Sequence, residues 1–186
     1  MEYPSGQGRI RQEEAGTKPG IGVDAYLSIG SNLGDRHANL KRALADLSLG
    51  SALIRRVSSI YGTEPVGHTD QPWFLNIAVE VETALPPLGL LQLCRGIEHA
   101  AGRTRPFPNA PRVIDLDILL YANMIVNEPE LQIPHPRLAE RRFVLAPLAE
   151  IAPELVHPVL KLSMRALLQS CADLSVVIPF APGGLP

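Results

Sequence analysis

Between Val113 and Tyr121 the chain alternates apolar and acidic residues, with Ile114, Leu116, Ile118 and Leu120 in one phase and Asp115 and Asp117 in the other. Successive side chains on a β-strand point to opposite faces. The run therefore predicts a strand with one apolar face and two carboxylates projecting together, their α-carbons roughly 7 Å apart. Such a strand calls for a sheet with one face packed by helices and the other open to charge and ligands.

The rest of the chain supplies partners for it. Val23 to Ile29 reads as a strand, and Gly30-Ser31-Asn32-Leu33-Gly34 as a tight turn whose glycines carry no β-carbon penalty. Asp35 is placed to cap a helix in which Leu40, Ala43, Leu44 and Leu47 recur with helical period until Gly50 stops it. Ser51 to Tyr61 reads as one strand and residues 62–72 as a turn-rich loop. Trp73 to Val81 is a strand with Leu75, Ile77, Val79 and Val81 on one face and Phe74 and Asn76 on the other. Pro86 and Pro87 open a second helix, striped by Leu90, Leu91, Cys94 and Ile97 and ending near Gly102, and a proline- and arginine-rich loop leads to the acidic strand.

The order βαββαβ predicts an α+β, ferredoxin-like sandwich with helices on one sheet face and the other left available. Additional C-terminal elements follow: a hairpin from Ile125 and Val126, helices over Arg141 to Ala149 and Leu162 to Cys171, and an extended Val176 to Ile178. Residues 1–22 read as a mobile extension, 23–178 as one domain and 179–186 as a flexible tail.

Charge removes some function classes. Seventeen basic against nineteen acidic residues give a net charge of -2, so no global positive field draws the protein to nucleic acid or anionic lipid. No apolar run suits a secretory signal or a membrane span. Cys94 and Cys171, far apart, form no disulfide framework, which fits a reducing, cytoplasmic setting.

Asp115 and Asp117 offer hard oxygen ligands for magnesium, or they are two ordinary acids on a solvated face. Arg103, Arg105 and Arg112 flank them with guanidinium forks suited to phosphate, or simply pair with Asp115, Asp117 or Glu98. Acids for metal together with arginines for phosphate imply a polyphosphate substrate. Phe74 and Asn76 can stack a flat heterocycle and hydrogen-bond its polar edge. His135 sits between two prolines in Ile133-Pro134-His135-Pro136. A P-loop, a GxGxxG fingerprint, a GxSxG elbow, an HExxH motif and the kinase signatures are all missing from the sequence.

Taken together, Gly30-Ser31-Asn32-Leu33-Gly34, Ser58-Ser59-Ile60-Tyr61-Gly62-Thr63, Asp70-Gln71-Pro72-Trp73-Phe74-Leu75-Asn76, Ile97-Glu98, Gly102-Arg103-Thr104-Arg105, Pro111-Arg112-Val113-Ile114-Asp115-Leu116-Asp117, Ile133-Pro134-His135-Pro136 and Arg141-Arg142-Phe143 resemble the 6-hydroxymethyl-7,8-dihydropterin pyrophosphokinase family. The resemblance runs from about Ala25 to Pro158. It implies transfer of pyrophosphate from ATP to the pterin hydroxymethyl group with release of AMP, in folate biosynthesis. It also implies two Mg2+ ions on Asp115 and Asp117, with Arg103 and Arg112 on the phosphates and Arg103 and Arg105 on a mobile loop over residues 102–110. Glu98, His135 and Arg141 then fall on the nucleotide side. The pterin falls between Phe74 and Phe143, read by Asn76 and by backbone near Thr63 and Val66. A monomer is implied. The chain departs from the family pattern at Asn109-Ala110, where many relatives have Trp-Gly, at Arg95, where some have Gln, and at Phe74, often Tyr. A metal-dependent phosphohydrolase and a non-catalytic nucleotide- or pterin-binding protein are the competing readings. A sheet platform for RNA is disfavoured by the two acids it would present.

Overall fold

The computed structural model describes residues 22–67, 69–102 and 110–181. Strand β1 (Val23–Ser31) is the spine of the sheet, pairing antiparallel with β4 (Phe74–Thr83) on one side and β5 (Asp115–Tyr121) on the other. Two strands, β2 (Ala52–Val57) and β3 (Tyr61–Thr63), share the far edge of β4, and β8 (Val177–Pro179) adds to β3. With helices α1 (Arg36–Leu49) and α2 (Pro87–Ala100), this is the ferredoxin-like arrangement expected. Asp35 caps α1 through the Ala38 amide, and Gly50 closes it, as read from the sequence.

One sheet face carries Ala25, Leu27, Ile29, Leu75, Ile77, Val79, Val81, Leu116 and Ile118 against the apolar stripes of α1 and α2. Fully burying each large aliphatic side chain contributes roughly 1.5–3 kcal/mol, so this face sets the register of the central strands. The opposite face is not left bare. Helices α3 (Arg142–Ile151) and α4 (Met164–Ser170), with the 3-10 turn Leu138–Glu140, cover Tyr26, Ala78, Leu119 and Leu120. A hairpin, β6 (Val126–Glu128) and β7 (Leu131–Ile133), stands after β5.

Three expectations are corrected. The stretch Ser51 to Tyr61 is not one strand. Ser58 interrupts it, its amide donating to Ala78 O (3.0 Å) and its hydroxyl accepting from Ala78 N (2.9 Å), so one side chain serves where a continuous ladder would. The alternation in β5 also breaks: Tyr26 pairs with Leu120 while Leu27 pairs with Ile118, leaving Leu119 as a bulge. A bulge inserts one residue and flips the phase after it, so Leu120 packs on the α3 face and Tyr121 joins the first core. Finally, Pro179 lies opposite Tyr61 and the Phe180 amide donates to Ile60 O (2.8 Å), so order runs past the tail boundary placed after Ile178. Residues 1–21 and 182–186 lie outside the described residues. No helix among the described residues is long and apolar enough to cross a membrane.

Candidate active site

The α3-facing side of the sheet changes character along its length. Glu80, Tyr26 and Leu120 form a cross-strand row, Ala78, Ser28 and Asp117 the next, and Asn76, Gly30 and Asp115 the third. The first row is closed under α3: Tyr26 donates to Glu80 (3.1 Å), and Arg56 bridges Glu80 to the Ile151 carbonyl at the end of the helix. Burial first, and then the Glu80 charge, push the Tyr26 phenol up to about 12. The functional residues expected from the sequence gather along the second and third rows, with Arg141 and His135 beside Asp117 on the second, and Arg112 beside Asp115 on the third.

Asn76, buried, donates from Nδ2 to Thr63 Oγ1 (2.7 Å). Phe74, two residues earlier on the same face, lies under the Arg112 guanidinium, 5.4 Å from the ring centroid. Arg112 Nη1 is 2.9 Å from Asp115 Oδ2. Its Nε is buried and has no hydrogen-bond partner among the described residues. A buried donor without an acceptor is costly, which a phosphate oxygen would relieve. Asp117 Oδ2 stands 3.9 Å from Arg141 Nη1 and 4.0 Å from His135 Nε2. Burial, then the charges of Arg141 and Arg137, lower the His135 imidazole to about 4, so it is neutral near pH 7. Its Nδ1 accepts the Arg137 amide (3.1 Å), which puts the ring proton on Nε2, toward Asp117. Phe143 is half-buried in the first turn of α3, with the Arg141 guanidinium 5.4 Å over its ring.

Other expected residues sit differently. Glu98 is buried at the end of α2, and its Oε1 accepts the Leu116 amide (2.8 Å), which anchors that strand beside the two acids. Val66 lies in the exposed bend after β3, 49% exposed. Arg103 and Arg105, with the rest of the loop from 103 to 109, lie outside the described residues. Among the described residues no group of three or more His, Cys, Asp or Glu converges as a ready metal cage.

Sequence reasoning missed the clamp that holds these parts together. Asn32 is 2% exposed; its Oδ1 accepts the Arg112 amide (2.7 Å), and its Nδ2 donates to Gln71 Oε1 (2.9 Å) and the Pro72 carbonyl (3.1 Å). Asn39 bonds Ser31, Leu33 O and Val113 O, and Arg36 donates to Trp73 O (2.6 Å). The turn after β1 is thus tied to the segments leading into β4 and β5. The signal was present as polar residues inside a glycine-bounded turn, but their partners are about 40 and 80 positions away and follow no local period. Gly30 was also misread. It lies within β1, and a β-carbon there would meet Asn76 Oδ1 at under 3.0 Å; Gly34, at φ +65°, is the residue the turn requires. Gly30 has no side chain because Asn76 lies across it.

Residues 26–153 match the family model described as 7,8-dihydro-6-hydroxymethylpterin-pyrophosphokinase (HPPK). The chain is 52% identical over 128 residues to the 2-amino-4-hydroxy-6-hydroxymethyldihydropteridine pyrophosphokinase of Bacillus subtilis, covering 68% of this chain and 77% of that protein. It is 50% identical over 134 residues to the enzyme of the same name from Methylorubrum extorquens, covering 71% and 84%. In three dimensions it is similar to the crystal structure of Plasmodium falciparum HPPK-DHPS with pterin and p-hydroxybenzoate. That match has a TM-score of 0.65 at 17% identity and covers 82% of this chain. The chain spans 44% of that longer protein, and this likeness bears on the fold alone.

Proposed function

The chain is a member of the 7,8-dihydro-6-hydroxymethylpterin pyrophosphokinase family, and from that premise we propose that ATP and the reduced pterin meet over the row Asn76, Gly30 and Asp115. The activity is pyrophosphoryl transfer from ATP to the hydroxymethyl group of 6-hydroxymethyl-7,8-dihydropterin, a step of folate biosynthesis that releases AMP. The observation that carries the placement is the row itself. A carboxamide able to read a heterocycle and a carboxylate able to hold a cation stand on either side of a residue with no side chain, whose place the Asn76 amide takes, so the acceptor-reading group and the cation-holding group share one cross-strand row.

On the acceptor side, Asn76 presents its amide in one orientation because Thr63 accepts from Nδ2. Phe74 and Phe143 supply ring faces, the first under Arg112 and the second under Arg141. Thr63 and Val66 supply backbone groups near the pterin edge. On the donor side Arg112 brings cationic N–H groups beside Asp115, and Arg141 and neutral His135 flank Asp117 as nucleotide and phosphate contacts. Arg103 and Arg105 add further phosphate contacts from the loop, and Glu98 keeps Leu116 and its acidic neighbours in place. A cavity of about 370 Å³ between α2 and the β6–β7 hairpin, lined by Leu91, Arg95 and Glu130, gives room for the nucleoside end of ATP. The Arg95–Glu130 ion pair (3.1 Å) is its polar rim.

Asp115 and Asp117 fit Mg2+: both are oxygen donors, and two carboxylates leave the remaining positions to phosphate and water, as Mg2+ sites commonly do. Two Mg2+ ions bound there would neutralise charge on the polyphosphate and orient the attacking and leaving oxygens. The protein's own share is positioning. It aligns the hydroxymethyl oxygen with the β-phosphorus and needs no covalent nucleophile. We read the working form as a cytoplasmic monomer, in keeping with free thiols at Cys94 and Cys171.

The test is Asp115→Asn and Asp117→Asn in the full chain, supplied with ATP, Mg2+ and reduced 6-hydroxymethylpterin, products identified by mass. Each change keeps the side-chain volume but removes a charged ligand. Turnover should fall at least about 100-fold, more than loss of an outer-shell partner costs, with weakened metal-dependent nucleotide binding. Full turnover in both folded variants would refute the metal assignment.

A further inference from the structure

The family match ends at residue 153, yet the chain returns to the acceptor side of the site twenty residues later. Helix α3 starts after Arg141 without a side-chain cap of its own. The cap comes from elsewhere in the chain: Asp173 Oδ2 accepts the Arg142 amide (2.8 Å), while Oδ1 accepts the Ser175 amide (2.9 Å). Both oxygens are thereby fixed, and the carboxylate sits at the positive end of the helix. The turn it caps carries Phe143 and directly follows Arg141.

The same segment then continues into β8. Val177 lies opposite Thr63 and Ile178 opposite Gly62. Flanking bonds run from the Glu64 amide to Val176 O (3.2 Å), from the Val176 amide to Glu64 Oε1 (2.8 Å) and from the Phe180 amide to Ile60 O (2.8 Å). Without β8, β3 would be a three-residue edge strand with one row of backbone groups unpaired. With it, Thr63 is held between Phe74 and Val177, which fixes the hydroxyl that orients Asn76.

We propose that the segment Asp173 to Phe180 is a positioning element of the acceptor pocket, in which Asp173 sets the start of α3 and β8 sets β3. The proposal rests on the assignment of Phe143, Thr63 and Asn76 to the pterin. The segment aligns the two sides of the acceptor pocket with each other, its cross-chain bonds running to Arg142 at the start of α3 and to Ile60 and Glu64 beside β3. Its loss is therefore felt mainly in acceptor recognition, which both of its anchor points serve, and less in nucleotide binding, which only the seat of Arg141 at the start of α3 connects to it.

The experiment compares the full-length chain with Asp173→Ala, Asp173→Asn, Phe143→Ala and Phe74→Ala, measuring KM for the reduced pterin, kcat at saturating pterin, and Kd for Mg-ATP. Asp173→Ala should raise the pterin KM about fivefold, the scale of losing one helix cap, with kcat and the ATP Kd within about twofold of the parent. Asp173→Asn keeps an accepting oxygen and should recover much of the loss. A parent-like pterin KM in Asp173→Ala beside a raised one in Phe143→Ala overturns the proposal and leaves the site assignment standing. Parent-like values in both Phe143→Ala and Phe74→Ala remove the site assignment and the proposal with it. An equal loss of ATP affinity would mean general damage and also overturns it. If Asp173→Ala does not fold, Ile178→Pro removes an amide opposite Gly62 and must show the same selective rise; no rise refutes the positioning role.

Discussion

Gly30→Ala is a one-carbon change with a consequence that can be worked from the geometry. The added β-carbon would stand under 3.0 Å from Asn76 Oδ1, 3.5 Å from Asn76 Cγ and 3.8 Å from Phe74 Cδ1. Only the first contact is intolerable, and it is made by the end of a side chain, so the strand can stay while the carboxamide moves. Asn76 is not free to move at no cost, because Nδ2 is bonded to Thr63 at 2.7 Å in a buried setting. Crowding a packed site costs about 1–3 kcal/mol, and stranding a buried donor costs a similar amount. We expect a net stability loss of about 2 kcal/mol, since rotation of the amide relieves part of the crowding. We also expect pterin affinity to weaken at least tenfold, equivalent to about 1.4 kcal/mol. Urea unfolding reports the first quantity and calorimetric titration with reduced pterin the second. The decisive comparison is a double-mutant cycle with Asn76→Ala: without the amide, Gly30→Ala should become nearly neutral for stability. A folded Gly30→Ala protein with parental pterin affinity, or a penalty that persists unchanged in the Asn76→Ala background, would refute the reasoning.

Two further outcomes follow from buried polar groups. Asn32→Ala strands the Arg112 amide and releases Gln71 and Pro72, so stability should fall by about 2–4 kcal/mol. Turnover should fall with it as Arg112 loses its seat, and an unchanged unfolding midpoint would exclude the clamp. Burial lowers the His157 imidazole below its usual range, while its Nδ1 accepts the amides of Val159 and Leu160. The unfolded chain, titrating near 6.5, takes up more protons than the folded one. Stability should therefore decline as pH falls from about 6.5 toward the depressed folded value. His157→Gln should reduce that slope, leaving the share that His135, lowered to about 4, contributes over the same range; identical slopes in the two proteins between neutral and mildly acidic pH would count against it.

The sequence alone determined those features that repeat with a local period or rest on chemistry within one segment. The stripes of α1 and α2, the Asp35 cap and the inward phase of β4 could be read because helix and strand periodicities are properties of neighbouring residues. The joint projection of Asp115 and Asp117 was legible for the same reason, and the motif resemblance reached the pterin chemistry. Tertiary structure alone decided whatever depends on two distant segments meeting. The bulge at Leu119, which sends Leu120 and Tyr121 to opposite faces, exists only in pairing with Tyr26 and Leu27. Gly30 looked like a turn residue until β4 laid Asn76 across it. Asn32 and Asp173 looked like ordinary loop residues, although one joins the segments leading into β4 and β5 and the other starts α3. Each satisfies backbone amides that its own neighbourhood cannot, and a hydrogen bond between positions 31 or 80 residues apart leaves no period in the sequence to read.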